Sequence, residues 1–163
     1  MSVSQATGAL VGHALGANNS ERARSILRAS ILLCVLIMGS LGVLIIGFVE
    51  PIVTIFDVST TGSVGTHSIL WMKILGYAMP VFGVHIAFIG LFQGSGATRI
   101  SLRINFWATI WIQIPLGWFL AFPMGLGAYG VWISFPIGFV LKAMLEFVAY
   151  KRGSWASLGV TPG

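Results

Sequence analysis

Charge is scarce in this chain. Its 163 residues include nine Lys or Arg and four Asp or Glu, so 8% are charged while 56% are apolar. A soluble domain carries roughly 25% charged residues, so a water-soluble globule is excluded. Cysteine is nearly absent: Cys34 stands alone, which rules out an intrachain disulfide and leaves it a packing role. Histidines are few, and His13, His67 and His85 are too scattered for a local metal-ligand motif. The Gly-rich run 90–99 lacks the Gly-Lys-Ser/Thr of a phosphate loop. No carboxylate pair and no Ser/His/Asp grouping is present, so neither an enzyme nor a cofactor is expected. The N-terminus has no basic region preceding an apolar one, and Gly8, Gly12 and Gly16 interrupt it, so it does not read as a secretory signal.

Long apolar runs are what the chain has in quantity. They cover Ile26–Val49, Ser68–Phe92, Ser101–Phe122 and Ala128–Tyr150. Each suits a helix crossing a bilayer, which takes about 20 residues. The predicted fold is all-α, a polytopic transmembrane bundle of four full spans plus a helix stub over residues 1–17, with the lipid bilayer as its first partner. The net charge of +5 raises the question of nucleic acid. The basic residues flank the spans instead, and the excess of Lys and Arg in cytoplasmic loops accounts for them.

Seven of the nine basic residues fall on alternate connections: Arg22, Arg24 and Arg28, then Arg99 and Arg103, then Lys151 and Arg152. Glu50 and Asp57 lie in the connection after the first span, which has no basic residue. This pattern predicts a multi-pass protein of the plasma or inner membrane with a cytoplasmic C-terminus and a tail at 156–163. Trp71, Trp118 and Trp132 near the outer ends, and Tyr150 and Trp155 near the inner end, read as aromatic belts. Trp107 and Trp111 lie too deep for that rule.

The stub ends at Asn18-Asn19-Ser20-Glu21, residues that favour a helix N-cap. It is too short to span alone. It reads as the end of a helix that begins upstream or that packs against a partner, or as an interfacial segment. Gly8, Gly12 and Gly16 lie on one face and predict close helix packing.

The second span repeats Gly76, Gly83 and Gly90 every seven residues, with Pro80 between them. The pattern fits either a packing seam with a static kink or a broken helix lining a substrate path. His85, in the same span, either bonds across to a neighbouring helix or exchanges a proton. Asn105, Gln113 and Pro115 are the polar or helix-breaking positions of the third span. With Pro80 and His85 they make up the candidate substrate-path or gating residues. Lys142 and Glu146, four apart, are expected to pair near the inner end of the last span.

Two segments together resemble multidrug and toxic compound extrusion (MATE) transporters. Gly12-His13-Ala14-Leu15-Gly16-Ala17-Asn18-Asn19-Ser20-Glu21-Arg22-Ala23-Arg24 is similar to the family's G-x-x-x-G-A-x-x-x-E-R-A-R stretch. The run Gly90–Arg99 is similar to its R-G-x-G-D-T-R connection, and a span centred on Ile114-Pro115-Leu116 follows. Gly127–Trp132 and Arg152–Trp155 fit the same pattern. The resemblance implies a twelve-helix transporter in two lobes. Residues 1–155 would form part of the C-terminal lobe, with residues 1–17 ending its eighth helix. It also implies a cation-coupled (Na⁺ or H⁺) antiporter for small organic, cationic substrates, whose N-terminal lobe is missing from this chain. Gln93 and Ala97 replace the family's arginine and aspartate in the connection, and Phe82 stands near the tenth-helix aspartate of some branches. The resemblance therefore places the coupling carboxylate in the missing lobe. A lipid-linked flippase or polysaccharide exporter of related fold, or a non-transporting assembly subunit, are the other readings.

Overall fold

The computed structural model describes residues 3–56 and 62–158. Its elements run α1 (Val3–Gly16), α2 (Ser20–Gly47), α3 (Val49–Ile55), α4 (Ser63–Gly94), α5 (Thr98–Trp107), a π-helical segment (Ala108–Gln113), α6 (Ile114–Ala121), α7 (Ala128–Lys151) and α8 (Ser154–Leu158). No strand occurs among the described residues. Four helical stretches are long and apolar enough to cross a membrane: α2, α4, α7, and the continuous run Thr98–Ala121 formed by α5, the π-helical segment and α6. The protein is an all-α polytopic membrane bundle. Asp57 and the last five residues of the expected tail lie outside the described residues.

α2, α4 and the third span begin three to six residues before their apolar runs, and at α2 a side-chain cap sets the start. Asn18 takes φ 55°, which turns the chain out of α1. Asn19 then caps α2, its Oδ1 accepting the Arg22 N–H at 2.8 Å. Short α3, in the connection that carries Glu50, is an element the apolar runs did not announce.

Close backbone approach holds α1, α2 and α4 together. Lipid tails are as apolar as leucine, so helices in a bilayer associate through packing of small residues. A Cβ at Gly83 would stand 2.7 Å from the Cys34 carbonyl oxygen, and one at Gly76 would stand 2.7 Å from Ile46 Cγ1, so both face α2. A Cβ at Gly90 would stand 2.6 Å from the Ser4 carbonyl oxygen of α1. Gly8 and Gly12 face Gly94 from the other side of that contact, whereas Gly16, expected on the same seam, meets nothing within 4 Å. The Thr7 and Ser30 hydroxyls join α1 to α2 at 2.8 Å. The stub thus lies along α4 and α2, not apart from the bundle as an interfacial segment would.

One end of the bundle is a continuous apolar core of Val11, Leu15, Leu27, Phe88, Leu91, Phe92 and Trp155. Trp155 is a correction to the expected aromatic belt. It is fully buried, stacks on Tyr150 with ring centroids 5.6 Å apart, and donates Nε1–H to the Tyr150 carbonyl at 3.0 Å. Gly153, at φ 75°, makes the turn that folds α8 back to place it there. At the opposite end His67 and Trp71 of α4 meet Tyr129, Trp132 and Phe135 of α7, with centroids 5.5–5.9 Å apart. Trp107 and Trp111 stack on each other at 5.9 Å on the exposed face of the third span.

Candidate functional site

The irregular span is the third, not the second. Pro80 sits inside an unbroken α4, and its ring lies against Gly39 of α2. In the third span the Ile114 N–H donates to the Thr109 carbonyl, five residues back, in a π-helical turn. Pro115 follows it directly, although Pro80 in α4 and Pro136 in α7 sit within regular α-helix without such a turn. Pro115 has no N–H to give, and its ring would collide with the carbonyl four residues before it. A wider turn just ahead of the proline relieves both problems. Pro115 itself is exposed.

The wider turn delivers Gln113 inward. Its side chain lies against Gly138 of α7, where an added Cβ would be 2.7 Å from the Gln113 Oε1. That oxygen accepts a hydrogen bond from Lys142 Nζ at 3.1 Å. One turn further along α7, Glu146 Oε2 lies 2.8 Å from Nδ1 of His85 on α4. His85, Gln113, Lys142 and Glu146 therefore form a cluster of two hydrogen-bonded pairs across three elements. They are 4%, 8%, 7% and 0% exposed, in segments that cross the membrane.

Burying an ion costs several kcal/mol unless it is paired and hydrogen-bonded. Each of the four side chains has a hydrogen-bond partner, while Lys142 is held by an amide oxygen and not by a carboxylate. Among the described residues, one buried side-chain polar atom lacks a partner, and it is Glu146 Oε1. The rings of Phe82 and Phe139, 4.8 Å apart, flank the cluster: Phe82 is 6.2 Å from the His85 ring and Lys142 Nζ is 5.9 Å from the Phe139 ring.

Of the five predicted path residues, the structure brings His85 and Gln113 into one cluster and leaves three out. Pro80 packs on α2, Pro115 faces outward, and Asn105 donates to the Ser101 carbonyl of its own helix at 3.2 Å. The expected Lys142–Glu146 ion pair is not made, and among the described residues the ion-pair contact is His85–Glu146. With Lys preceding Glu the spacing is the weaker orientation on a helix, and both side chains find partners on neighbouring elements instead. One signal could have found this. The buried residues of α7 are Gly130, Ser134, Gly138, Lys142 and Glu146, every fourth residue. Such a row is the ridge that one helix presents to another. An open groove lies elsewhere, between α1 and the end of α4, bordered by Gln5, Gly8, Gly12, His13 and Gln93.

Comparison with known proteins fits this architecture. The family model described as MatE matches residues 1–119. The chain belongs to the MatE family. It is 26% identical over 97% of its length to the "Probable multidrug resistance protein NorM" of Thermotoga maritima. It is 30% identical over 86% of its length to the protein of the same name from Bradyrhizobium diazoefficiens. The crystal structure of the eukaryotic MATE transporter AtDTX14 superposes on 96% of the chain with a TM-score of 0.85 at 22% identity, which establishes the shared fold. The chain spans about a third of the length of each of these proteins.

Proposed function

We propose that this MatE chain is part of a multidrug efflux transporter, a cation-coupled antiporter that works by alternating access. The observation that carries the reading is the His85–Gln113–Lys142–Glu146 cluster at membrane depth in a family whose named members include multidrug resistance proteins. Ionisable side chains inside membrane helices are costly to keep and mark ion or substrate pathways. The chain serves as part of the C-terminal lobe and works against an N-terminal lobe of the same transporter, with one lobe rocking on the other. It resides in the plasma or inner membrane with its C-terminus in the cytoplasm, since Arg22, Arg24, Arg28, Arg99, Arg103, Lys151 and Arg152 mark the inner side. Its substrates are small organic cations.

Deletion of the coding sequence from cells that carry it tests the proposal. Deleted cells are expected to accumulate more of a fluorescent organic cation such as ethidium than their parents, and plasmid-borne restoration is expected to reverse this. Equal accumulation in the two strains counts against an efflux role.

A further inference from the structure

The His85–Glu146 contact differs in kind from the seams around it. Those seams are built from glycine and backbone, whereas this one sets two protonatable groups 2.8 Å apart across α4 and α7. We propose that the pair is a proton-binding site, the place in this chain where the coupling proton of the efflux cycle is taken up and released. The coupling role rests on the transport reading above, while the proton binding does not.

Three observations carry the assignment. First, imidazole and carboxylate joined by one hydrogen bond hold one exchangeable proton between them, and adding another changes the charge of the pair by one. Interacting groups of this kind titrate as a unit. Second, Glu146 Oε1 is fully buried and has no partner. It is a carboxylate oxygen that a proton can occupy and that no protein donor holds. Third, Lys142 stands one turn away on the same helix, with its ammonium held by Gln113. Its charge disfavours any added cation, H⁺ included, so ligand number decides: a hard cation takes several oxygen ligands, and with Oε2 engaged by His85 the pair offers Oε1 alone. The site is therefore assigned to H⁺ and not to Na⁺.

The charges around the pair can be named element by element. α7 contributes Lys142 as well as Glu146, and α4 contributes His85. The π-helical segment contributes uncharged Gln113. On the far side of α4, α2 brings the Cys34 backbone against Gly83, and its thiol belongs to the apolar core. Arg99 and Arg103 of α5 are exposed. The location also suits coupling. α4 is locked to α1 and α2 through glycine contacts, while α6 packs against α7 through Gly117 and Gly130. A proton at His85–Glu146 changes the bond between these two halves.

Proton uptake by the purified chain in detergent tests this. Unmodified protein, E146Q, H85Q and the double variant are titrated by pH-stat between about pH 9 and about pH 5, the range in which histidine ordinarily changes charge. E146Q and the double variant are each expected to take up about one proton fewer than the unmodified protein, and H85Q to take it up at a shifted pH, because the pair shares the site. Unchanged uptake in E146Q, an unshifted curve in H85Q, or a deficit of two in the double overturns the proposal. An infrared pH-difference spectrum of the unmodified protein provides a check that does not depend on the variants folding. A buried carboxylic-acid carbonyl band is expected to appear on acidification and to persist in E50Q, and its absence overturns the proposal. Sodium titrated at fixed pH is expected to leave the band unchanged, and loss of the band on adding sodium would reassign the site to Na⁺. A negative deletion assay alongside a positive titration would defeat the transport reading alone.

Discussion

Gly83 and Gly16 allow the same substitution to be tried in opposite surroundings. Alanine at Gly83 places its Cβ 2.7 Å from the Cys34 carbonyl oxygen and 2.9 Å from the carbonyl carbon, both backbone atoms that cannot swing away. Ordinary contact begins near 3.5 Å, so α2 and α4 must part locally by roughly 1 Å. Overpacking of this kind costs about 1–3 kcal/mol, which is roughly a 5- to 150-fold loss in the folded-to-unfolded ratio at about 1.4 kcal/mol per tenfold. Separation also weakens the close packing that replaces hydrophobic drive in a bilayer. Gly16 closes α1 with nothing within 4 Å of its would-be Cβ. Alanine there is expected to be neutral or to stabilise by up to about 1 kcal/mol through helix propensity. Equilibrium unfolding in detergent, followed by helical circular dichroism and tryptophan fluorescence, compares the two. Equal stability of Gly83→Ala and Gly16→Ala would refute the claim that backbone contact at Gly83 sets the α2–α4 spacing.

Four other outcomes are expected. Gly138→Ala displaces the Gln113 side chain from Lys142, and losing a hydrogen bond to a buried charge should cost about 1.5–3 kcal/mol in the same unfolding assay. Trp155→Ala should destabilise by about 3–5 kcal/mol, since it empties a fully buried site and removes one donor to the Tyr150 carbonyl, which keeps the Gly153 N–H; an effect below about 1 kcal/mol would return Trp155 to the interface. Pro80→Ala is expected to lower efflux by the complete transporter without abolishing membrane insertion, and unchanged efflux would leave Pro80 a packing residue only. In intact cells, a membrane-impermeant maleimide should label Glu50→Cys from outside and Lys151→Cys only after permeabilisation, against the low background expected of buried Cys34; the reverse pattern would invert the topology.

The spans were legible because a bilayer demands about 20 apolar residues in a row, a requirement plain in composition. The end of α1 was legible from Asn18 and Asn19, whose side chains favour a turn and a cap. The glycine positions of α4 announced close approach, but not which helix approaches. Periodicity gives a face, and it does not name the neighbour. The polar cluster was legible in half. His85 and Gln113 stood out as lone polar residues in apolar runs, while Lys142 and Glu146 looked like a pair local to one helix. Their true partners lie 29 and 61 positions away in sequence, on other elements. The span that loses α-helical regularity was misplaced, because Pro80 and Pro115 are alike in sequence. What separates them is that α4 stays unbroken through Pro80, whereas the turn ahead of Pro115 widens.

The π-helical turn fixes the phase of everything after it in its span. Each residue in an α-helix advances the side chains by about 100°. Straightening Ala108–Gln113 into a regular helix without removing a residue would rotate α6 by about that angle. Gly117 would then leave Ser134, and the Leu120–Ala121 backbone would leave Gly130. The third span can thus exchange side chains on its outward face, but loss of the wide turn at constant length would unseat its outer half from α7.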